Sequence, residues 1–405
     1  MTFKDFNLNS ELQEGISAMG FEEPTPVQQQ AIPYIKDGKD VIACAQTGTG
    51  KTAAYLLPTL NDLVSHRSQH ISTLIIVPTR ELAVQIDQQL EGFSYFTGVS
   101  SITIYGGSDG AAFDRQKSAL KQGTEIVVAT PGKLLSHLNL GYVNLKHLKH
   151  FILDEADRML DMGFFDDIMR IASHLPEKKQ TLLFSATMPP KIRQLAKNLQ
   201  QDPEEINIAI SKTASGILQA AFVLHDSQKL PLLEHLLKAK KVSSLIVFCA
   251  RKVTVKEIAS AIKGLDYDIA AISSDLEQHE REEIMRKFKN KQLQILVATD
   301  ILSRGIDVEG IELVINYDVP NDAEDYVHRV GRTARADKKG AAFTFIGPKE
   351  QRDFSQIEEL IEMEVTKAKV PDYLGETPSY NPRTSRGGRN NSRKGGKGRS
   401  NRKKN

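Results

Sequence analysis

Eight residues, Ala45-Gln46-Thr47-Gly48-Thr49-Gly50-Lys51-Thr52, follow closely on the apolar run Val41-Ile42-Ala43. A strand that runs into a glycine-rich turn ending Gly-Lys-Thr exposes backbone N–H groups able to cradle phosphate oxygens. The lysine adds a point charge and the threonine hydroxyl a ligand for Mg2+. About a hundred residues later, Asp154-Glu155-Ala156-Asp157 follows a second apolar run, Phe151-Ile152-Leu153. A strand ending in carboxylates supplies a partner for the cation and a base for water. Glycine-rich turns and acidic strand ends are each common alone, but in this order they specify a nucleoside triphosphatase. Ala45 stands where the general signature has its first glycine.

Short β-branched runs alternate with helical patterns along the whole chain. In the first half they are 40–43, 73–77, 101–105, 125–129, 150–153 and 181–184; in the second, 221–224, 244–248, 268–272, 294–298, 313–317 and 341–346. This alternation predicts an α/β protein with two tandem domains, each a mainly parallel sheet flanked by helices. Ligands then belong at the C-terminal ends of the strands. The halves echo each other: Ile126-Val127-Val128-Ala129-Thr130 resembles Ile295-Leu296-Val297-Ala298-Thr299, and Leu74-Ile75-Ile76-Val77 resembles Leu245-Ile246-Val247-Phe248. Only the first half has a Gly-Lys-Thr loop, so one nucleotide site serves two domains. Pro203, Ser215 and Gly216 interrupt the patterns around the joint. The expected division is a first domain over 1–205, a linker over 206–217, a second domain over 218–366 and a disordered basic tail over 367–405.

At 405 residues the chain can bury a core in each domain. It has no apolar stretch of bilayer length and its first residues lack a signal pattern, so no membrane partner and a cytoplasmic location are expected. Cys44 and Cys249 lie in or beside strand patterns and read as small buried hydrophobes. His147 and His150 read as surface residues without metal-ligand partners. The net charge of +2 conceals an asymmetry: residues 377–405 hold ten Lys/Arg and no acid, leaving 43 basic against 51 acidic residues, a net of −8, elsewhere. A segment of Arg, Gly, Ser, Asn and Lys reads as a polyanion-binding arm.

Further motifs fall in a fixed order. Gly20-Phe21 precedes Pro24-Thr25-Pro26-Val27-Gln28, and after the phosphate loop come Pro78-Thr79-Arg80-Glu81-Leu82-Ala83, Gly106-Gly107, Thr130-Pro131-Gly132-Lys133 and Ser185-Ala186-Thr187. The second half carries Val247-Phe248, Gln278-His279-Glu280-Arg281, Thr299-Asp300 with Arg304-Gly305-Ile306-Asp307, and His328-Arg329-Val330-Gly331-Arg332-Thr333-Ala334-Arg335. On these residues the chain resembles the DEAD-box ATP-dependent RNA helicases over about 3–346, in particular compact bacterial members with a basic tail. Lys133 stands where the family usually has Arg, and Ala334 where Gly is common. Lysine neutralises a phosphate without the bidentate fork, which predicts a slightly weaker RNA contact.

The resemblance implies two RecA-like domains, ATP with Mg2+, and a role for each motif. Phe21 and Gln28 would take adenine; Gln46, Thr47, Gly48, Thr49, Gly50, Lys51 and Thr52 the phosphates; Thr52 and Asp154 the metal, partly through water. Glu155 would orient and deprotonate the attacking water. Arg332 and Arg335 would act as arginine fingers from the other domain, with Gly305 and Asp307 reaching the ribose. Asp157, Ser185, Thr187 and His328 would couple the nucleotide to domain closure. Arg80, Gly106, Gly107, Thr130, Gly132 and Lys133 would meet the RNA backbone from one side, and Arg281 and Thr299 from the other, giving recognition of shape rather than sequence. The implied activity is local, non-processive unwinding of RNA duplexes or remodelling of RNA–protein complexes. An ATP-gated RNA clamp serving as an assembly platform is the alternative, and a DNA translocase a poorer third. Ribosome biogenesis and RNA turnover, with ribosomal or RNA-turnover proteins as partners, are the settings the resemblance suggests, around a monomeric core.

Overall fold

The structure is a computed structural model that describes residues 1–45, 48–107, 110–208, 217–273, 275–299, 310–333 and 340–382. Its first sheet contains β1 (Val41–Cys44), β2 (Thr73–Ile76), β3 (Ser101–Ile104), β4 (Ile126–Ala129), β5 (His150–Leu153), β6 (Gln180–Ser185) and β7 (Glu204–Asn207). The second contains β8 (Leu218–Val223), β9 (Leu245–Cys249), β10 (Ile269–Ile272), β11 (Ile295–Thr299), β12 (Leu313–Asn316), β13 (Ala341–Ile346) and β14 (Thr366–Lys367). Both are seven-stranded and parallel, in the orders β3-β4-β2-β5-β6-β1-β7 and β10-β11-β9-β12-β13-β8-β14. Raising each strand of the first order by seven gives the second. The sequence echoes are therefore structural equivalences: β4 matches β11 and β2 matches β9.

The strands read as unbroken apolar runs because both faces are covered. Residues of alternate parity feed opposite cores. Ile75, Ile152, Leu182 and Phe184 pack on one face of the first sheet, while Leu74, Ile76, Phe151, Leu153 and Leu183 pack on the other. Each is fully buried, and each such side chain stabilises the fold by roughly 1.5–3 kcal/mol. Among the described residues, no helix is long and apolar enough to cross a membrane.

Four expectations need correction. β7 falls in the segment expected as joint and linker, and Ile208 N–H still donates to the Cys44 carbonyl at 2.9 Å, so the first domain runs past 205. Only Ile206 of β7 is buried; an edge strand with one neighbour needs little apolar sequence. At the other end, residues 367–382 are not tail but a strap across the second domain. Gln228 Nε2 donates to the carbonyls of Leu374 (2.8 Å) and Glu376 (3.0 Å), Gln351 Nε2 to that of Ser379 (3.0 Å), and Tyr380 hydroxyl to Glu358 (2.7 Å). Residues 383–405 lie outside the described chain.

His150 is buried rather than superficial: it opens β5, with Nδ1 2.9 Å from Gln180 Oε1 and Nε2 3.2 Å from Asp62 Oδ2. These bonds, with Lys149 at 3.1 Å, hold the Asp62 carboxyl well below the ordinary aspartate range despite partial burial, which opposes the shift. Finally, Cys249 is buried as expected, but Cys44 is only half-buried, with its thiol 3.3 Å from the Ala186 carbonyl.

Candidate active site

β1 leads into the phosphate loop, and the helix Lys51–Ser65 leaves it with its N-terminus at the loop, an anion-favouring end. Gly50 caps that helix in the left-handed region (φ +86°) and packs so closely that a Cβ would lie 2.4 Å from Gln28 Nε2. Glycine is required there for both reasons. Gln28 is buried: its Oε1 accepts from Thr25 N–H (2.9 Å) and its Nε2 donates to the Gly50 carbonyl (3.0 Å). A second N–H and a second lone pair remain on the amide, enough to meet a base edge. Close by, Thr25 opens the helix Pro26–Lys36 and forms a capping box with Gln28, which fixes the amide at the helix start. Phe21 is half-buried, held edge-on by Phe3 (6.1 Å) and Phe93 (5.2 Å).

Lys51 is buried and donates to the Ala45 carbonyl at 2.6 Å, so the loop closes upon itself through the residue that replaces the usual glycine. Opposite, Asp154 ends β5. Its Oδ1 accepts from Glu155 N–H (2.9 Å) and its Oδ2 from the Tyr55 hydroxyl (2.8 Å). Burial pushes this carboxyl up to about 6, opposed by the Lys51 charge. A divalent cation would reverse that burial cost, and the Asp154 carboxylate with the Thr52 hydroxyl offers oxygen donors of the kind that fit Mg2+.

Glu155 occupies the left-handed region (φ 50°, ψ 50°), uncommon for a non-glycine residue, and caps the short helix Ala156–Asp161. Arg158, one turn on, donates from Nη1 to Glu155 Oε2 at 3.2 Å, both side chains being only 9% exposed. Asp157 Oδ2 accepts from Ala186 N–H (3.1 Å), while Asp157 N–H donates to Ser185 Oγ (3.3 Å). The acidic segment and the Ser185-Ala186 strand end are thus joined directly, with half-buried Thr187 one residue further.

The residues expected at RNA gather on neighbouring strand ends of the same sheet. Arg80 follows β2, Gly106-Gly107 follows β3, and Thr130-Pro131-Gly132-Lys133 follows β4. The Arg80 guanidinium lies on the glycine turn: a Cβ on Gly107 (φ +80°) would sit 2.1 Å from Arg80 Nη1. Gly132 has open space over it, and Lys133 places its ammonium 4.8 Å above the Phe113 ring. The Tyr105 hydroxyl, beside the turn, is pushed up by burial and then by the Glu282 carboxylate of the second domain, next to Arg281. In the second domain Thr299 ends β11 with its buried Oγ1 lacking a partner.

In the second domain His328 is buried, and Arg332 lies on a short 3-10 turn, Gly331–Thr333, fastened by Thr333 Oγ1 to the Ile311 carbonyl at 2.6 Å. Gln46, Thr47, Gly305, Asp307 and Arg335 lie outside the described residues.

Three site residues escape the sequence argument. Tyr55 hides within a buried helix pattern. Arg158 follows the acidic segment at i+3 from Glu155, a spacing that could have flagged it. Arg329, fully buried, donates to Asn316 Oδ1 and the Asp318 carbonyl, each at 3.1 Å, and stacks on Phe248 at 5.2 Å. It anchors the helix Ala323–Val330 that leads into the turn of Arg332, and a basic residue in a basic motif gave no hint of burial.

A phosphate loop on β1 and an acidic end on β5, in one of two equivalent parallel α/β domains, define a P-loop nucleoside triphosphatase with tandem RecA-like domains. The family description "DEAD/DEAH box helicase" matches residues 25–195, and "Helicase conserved C-terminal domain" matches 228–337. The ATP-dependent RNA helicase CshA of Listeria monocytogenes is 41% identical over 92% of this chain and 71% of its own length. The DEAD-box ATP-dependent RNA helicase CshA of Bacillus subtilis is 43% identical over 92% and 74%. Among solved structures, S. cerevisiae Dbp5 bound to RNA and ADP BeF3 superposes with a TM-score of 0.80 at 29% identity, covering 92% of this chain and 96% of that one. A DEAD box protein from Methanococcus jannaschii, 40% identical over 91% and 99%, superposes at only 0.54. The chain belongs to the DEAD-box family of ATP-dependent RNA helicases.

Proposed function

We propose that this chain uses ATP binding to close its two domains on RNA and separates a short duplex locally, with hydrolysis resetting the open form. The observation that carries the reading is the strand order. ATP-side residues end β1, β5 and β6, while RNA-side residues end β3, β4 and β2, so one rigid sheet holds both sets along one edge. The contrast in superposition supports closure: a better match to the RNA- and nucleotide-bound relative than to a more identical one is what a difference in domain placement produces.

Lys51 and the N-terminus of its helix hold the β/γ-phosphates, Gln28 and Phe21 the base. Thr52 and Asp154 would hold Mg2+, which would supply charge neutralisation at the phosphate oxygens. Glu155 receives the proton of the attacking water, its carboxylate oriented by Arg158. Arg332 stabilises the charge that develops on the transferred phosphoryl group, which only a closed cleft permits. Asp157, Ser185, Thr187 and His328 connect the phosphate site to the interface, with Arg335, Gly305 and Asp307 completing the nucleotide contacts from the second domain.

Arg80, Gly106, Gly107, Thr130, Gly132, Lys133, Arg281 and Thr299 take the RNA backbone. RNA–protein complexes in ribosome biogenesis or RNA turnover are the proposed setting. The test is displacement of a labelled strand from a short RNA duplex. ATP-dependent displacement that fails on long duplexes is expected; ATP-dependent retention of RNA without any displacement would refute unwinding.

A further inference from the structure

Tyr55 sits one turn beyond Lys51 and Thr52 on the fully buried face of their helix. Its hydroxyl donates to Asp154 Oδ2 at 2.8 Å. Thr52, the other residue assigned to the cation, lies three residues before Tyr55 on the same helix. One buried hydroxyl on the helix that carries Thr52 therefore holds the carboxylate assigned to the same cation. The ring is fixed on its other side by Phe184 of β6, at 5.1 Å between centroids. Its backbone is fixed by Thr59, whose hydroxyl donates to the Tyr55 carbonyl (2.7 Å) and that of Leu56 (3.0 Å) beside Pro58. Packing alone would be served as well by phenylalanine. A hydroxyl without a partner would be costly in such a place, and this one has Asp154.

We propose that Tyr55 is a positioning residue for the divalent cation of the nucleotide, its phenol fixing which lone pairs Asp154 turns toward the ion. With Oδ2 taking the phenol proton and Oδ1 the Glu155 N–H, the Asp154 carboxylate cannot rotate. Both oxygens keep further lone pairs for the ion or its water. Groups that surround a metal ligand commonly orient it in this way. The proposal rests on the assignment of Thr52 and Asp154 to the cation.

The test is Tyr55→Phe in the full chain, with binding of a fluorescent ADP analogue titrated in EDTA and against Mg2+. Affinity in EDTA should stay within about twofold of wild type, which also reports an intact fold. The Mg2+ concentration for half-maximal tightening should rise roughly tenfold, the worth of one hydrogen bond to a charged group. In an Asp154→Asn background, adding Tyr55→Phe should have a smaller effect on the Mg2+ response than it has alone, because the two act through one contact. Equal changes with and without Mg2+ would make Tyr55 a packing residue and overturn the proposal, as would no change in either. Asp154→Asn separates the two assignments. If it leaves the Mg2+ response intact, the cation site and the proposal fall together; if it abolishes the response while Tyr55→Phe leaves it unmoved, only the proposal falls.

Discussion

Replacing Glu155 with Gln removes a base while leaving nearly every contact in place. The amide has the carboxylate's volume, and its oxygen can still accept from Arg158 at the position now 3.2 Å from Nη1. Nothing in the substitution disturbs the left-handed backbone at 155 or the Asp154 and Tyr55 contacts behind it. Breaking a buried ion pair outright costs about 3–5 kcal/mol, but retention of the hydrogen bond should confine the loss to about 1–2 kcal/mol. In a domain of this size that lowers the melting temperature by about 2–4 °C per kcal/mol. Turnover should suffer far more. A positioned general base contributes about 100- to 10,000-fold, or roughly 3–5 kcal/mol of barrier. Single-turnover phosphate release with saturating RNA should slow by that factor, while ATP-dependent retention on RNA persists or lengthens, since binding closes the domains and hydrolysis reopens them. Hydrolysis at the wild-type rate would refute the assignment of Glu155. Loss of nucleotide binding in parallel with turnover would show that the residue shapes the site rather than serving as its base.

Gly107→Ala should cut RNA affinity about 10- to 100-fold by displacing the Arg80 guanidinium from a position 2.1 Å from the new Cβ, with nucleotide affinity in the absence of RNA unchanged; fluorescence anisotropy measures both. Truncation after Pro382 removes all ten basic residues of the C-terminal segment but spares the strap, so maximal ATPase rate should be retained. RNA binding should weaken, and its salt dependence should flatten by about 0.7 for each phosphate that the arm neutralises. Equal salt slopes for the two proteins would exclude RNA as the arm's partner. Asp62→Asn should destabilise the first domain by about 0.5–1 kcal/mol at neutral pH, a figure kept small because the site is partly solvated. A lowered carboxyl stabilises above its unfolded-state value, so the deficit in urea melts should shrink as pH falls below about 4 and vanish beneath the folded-state value. A deficit that grows with acid would refute the sign.

The parts legible in the sequence are those in which neighbouring residues do the work. The phosphate loop is continuous backbone, so Gly48, Gly50, Lys51 and Thr52 announce it. β2, β4 and β5 are buried on both faces and declare themselves through apolar content, and the halves' echo identified equivalent strands before any pairing was known. β7 and β14 carry no such signal, because an edge strand has one partner and little surface to bury. The strap is hidden for a related reason: polar side chains of Gln228 and Gln351 hold its backbone, and a segment retained by hydrogen bonds to distant glutamines reads as tail. His150 shows the same limit, since a histidine's burial depends on Gln180 and Asp62, thirty and eighty-eight residues away.

By itself, then, the sequence determined a P-loop enzyme on two repeated parallel sheets and the residue types its chemistry uses. Only the tertiary structure decided what holds those residues. The hydroxyl of Tyr55 meets a carboxylate ninety-nine residues away, and Arg329 is a buried anchor while Arg332, three residues on, stays half-exposed on its turn. Chemistry at a strand end is set by local backbone and side-chain type, whereas the partner of a buried polar group is chosen by the packing of elements far apart in the chain.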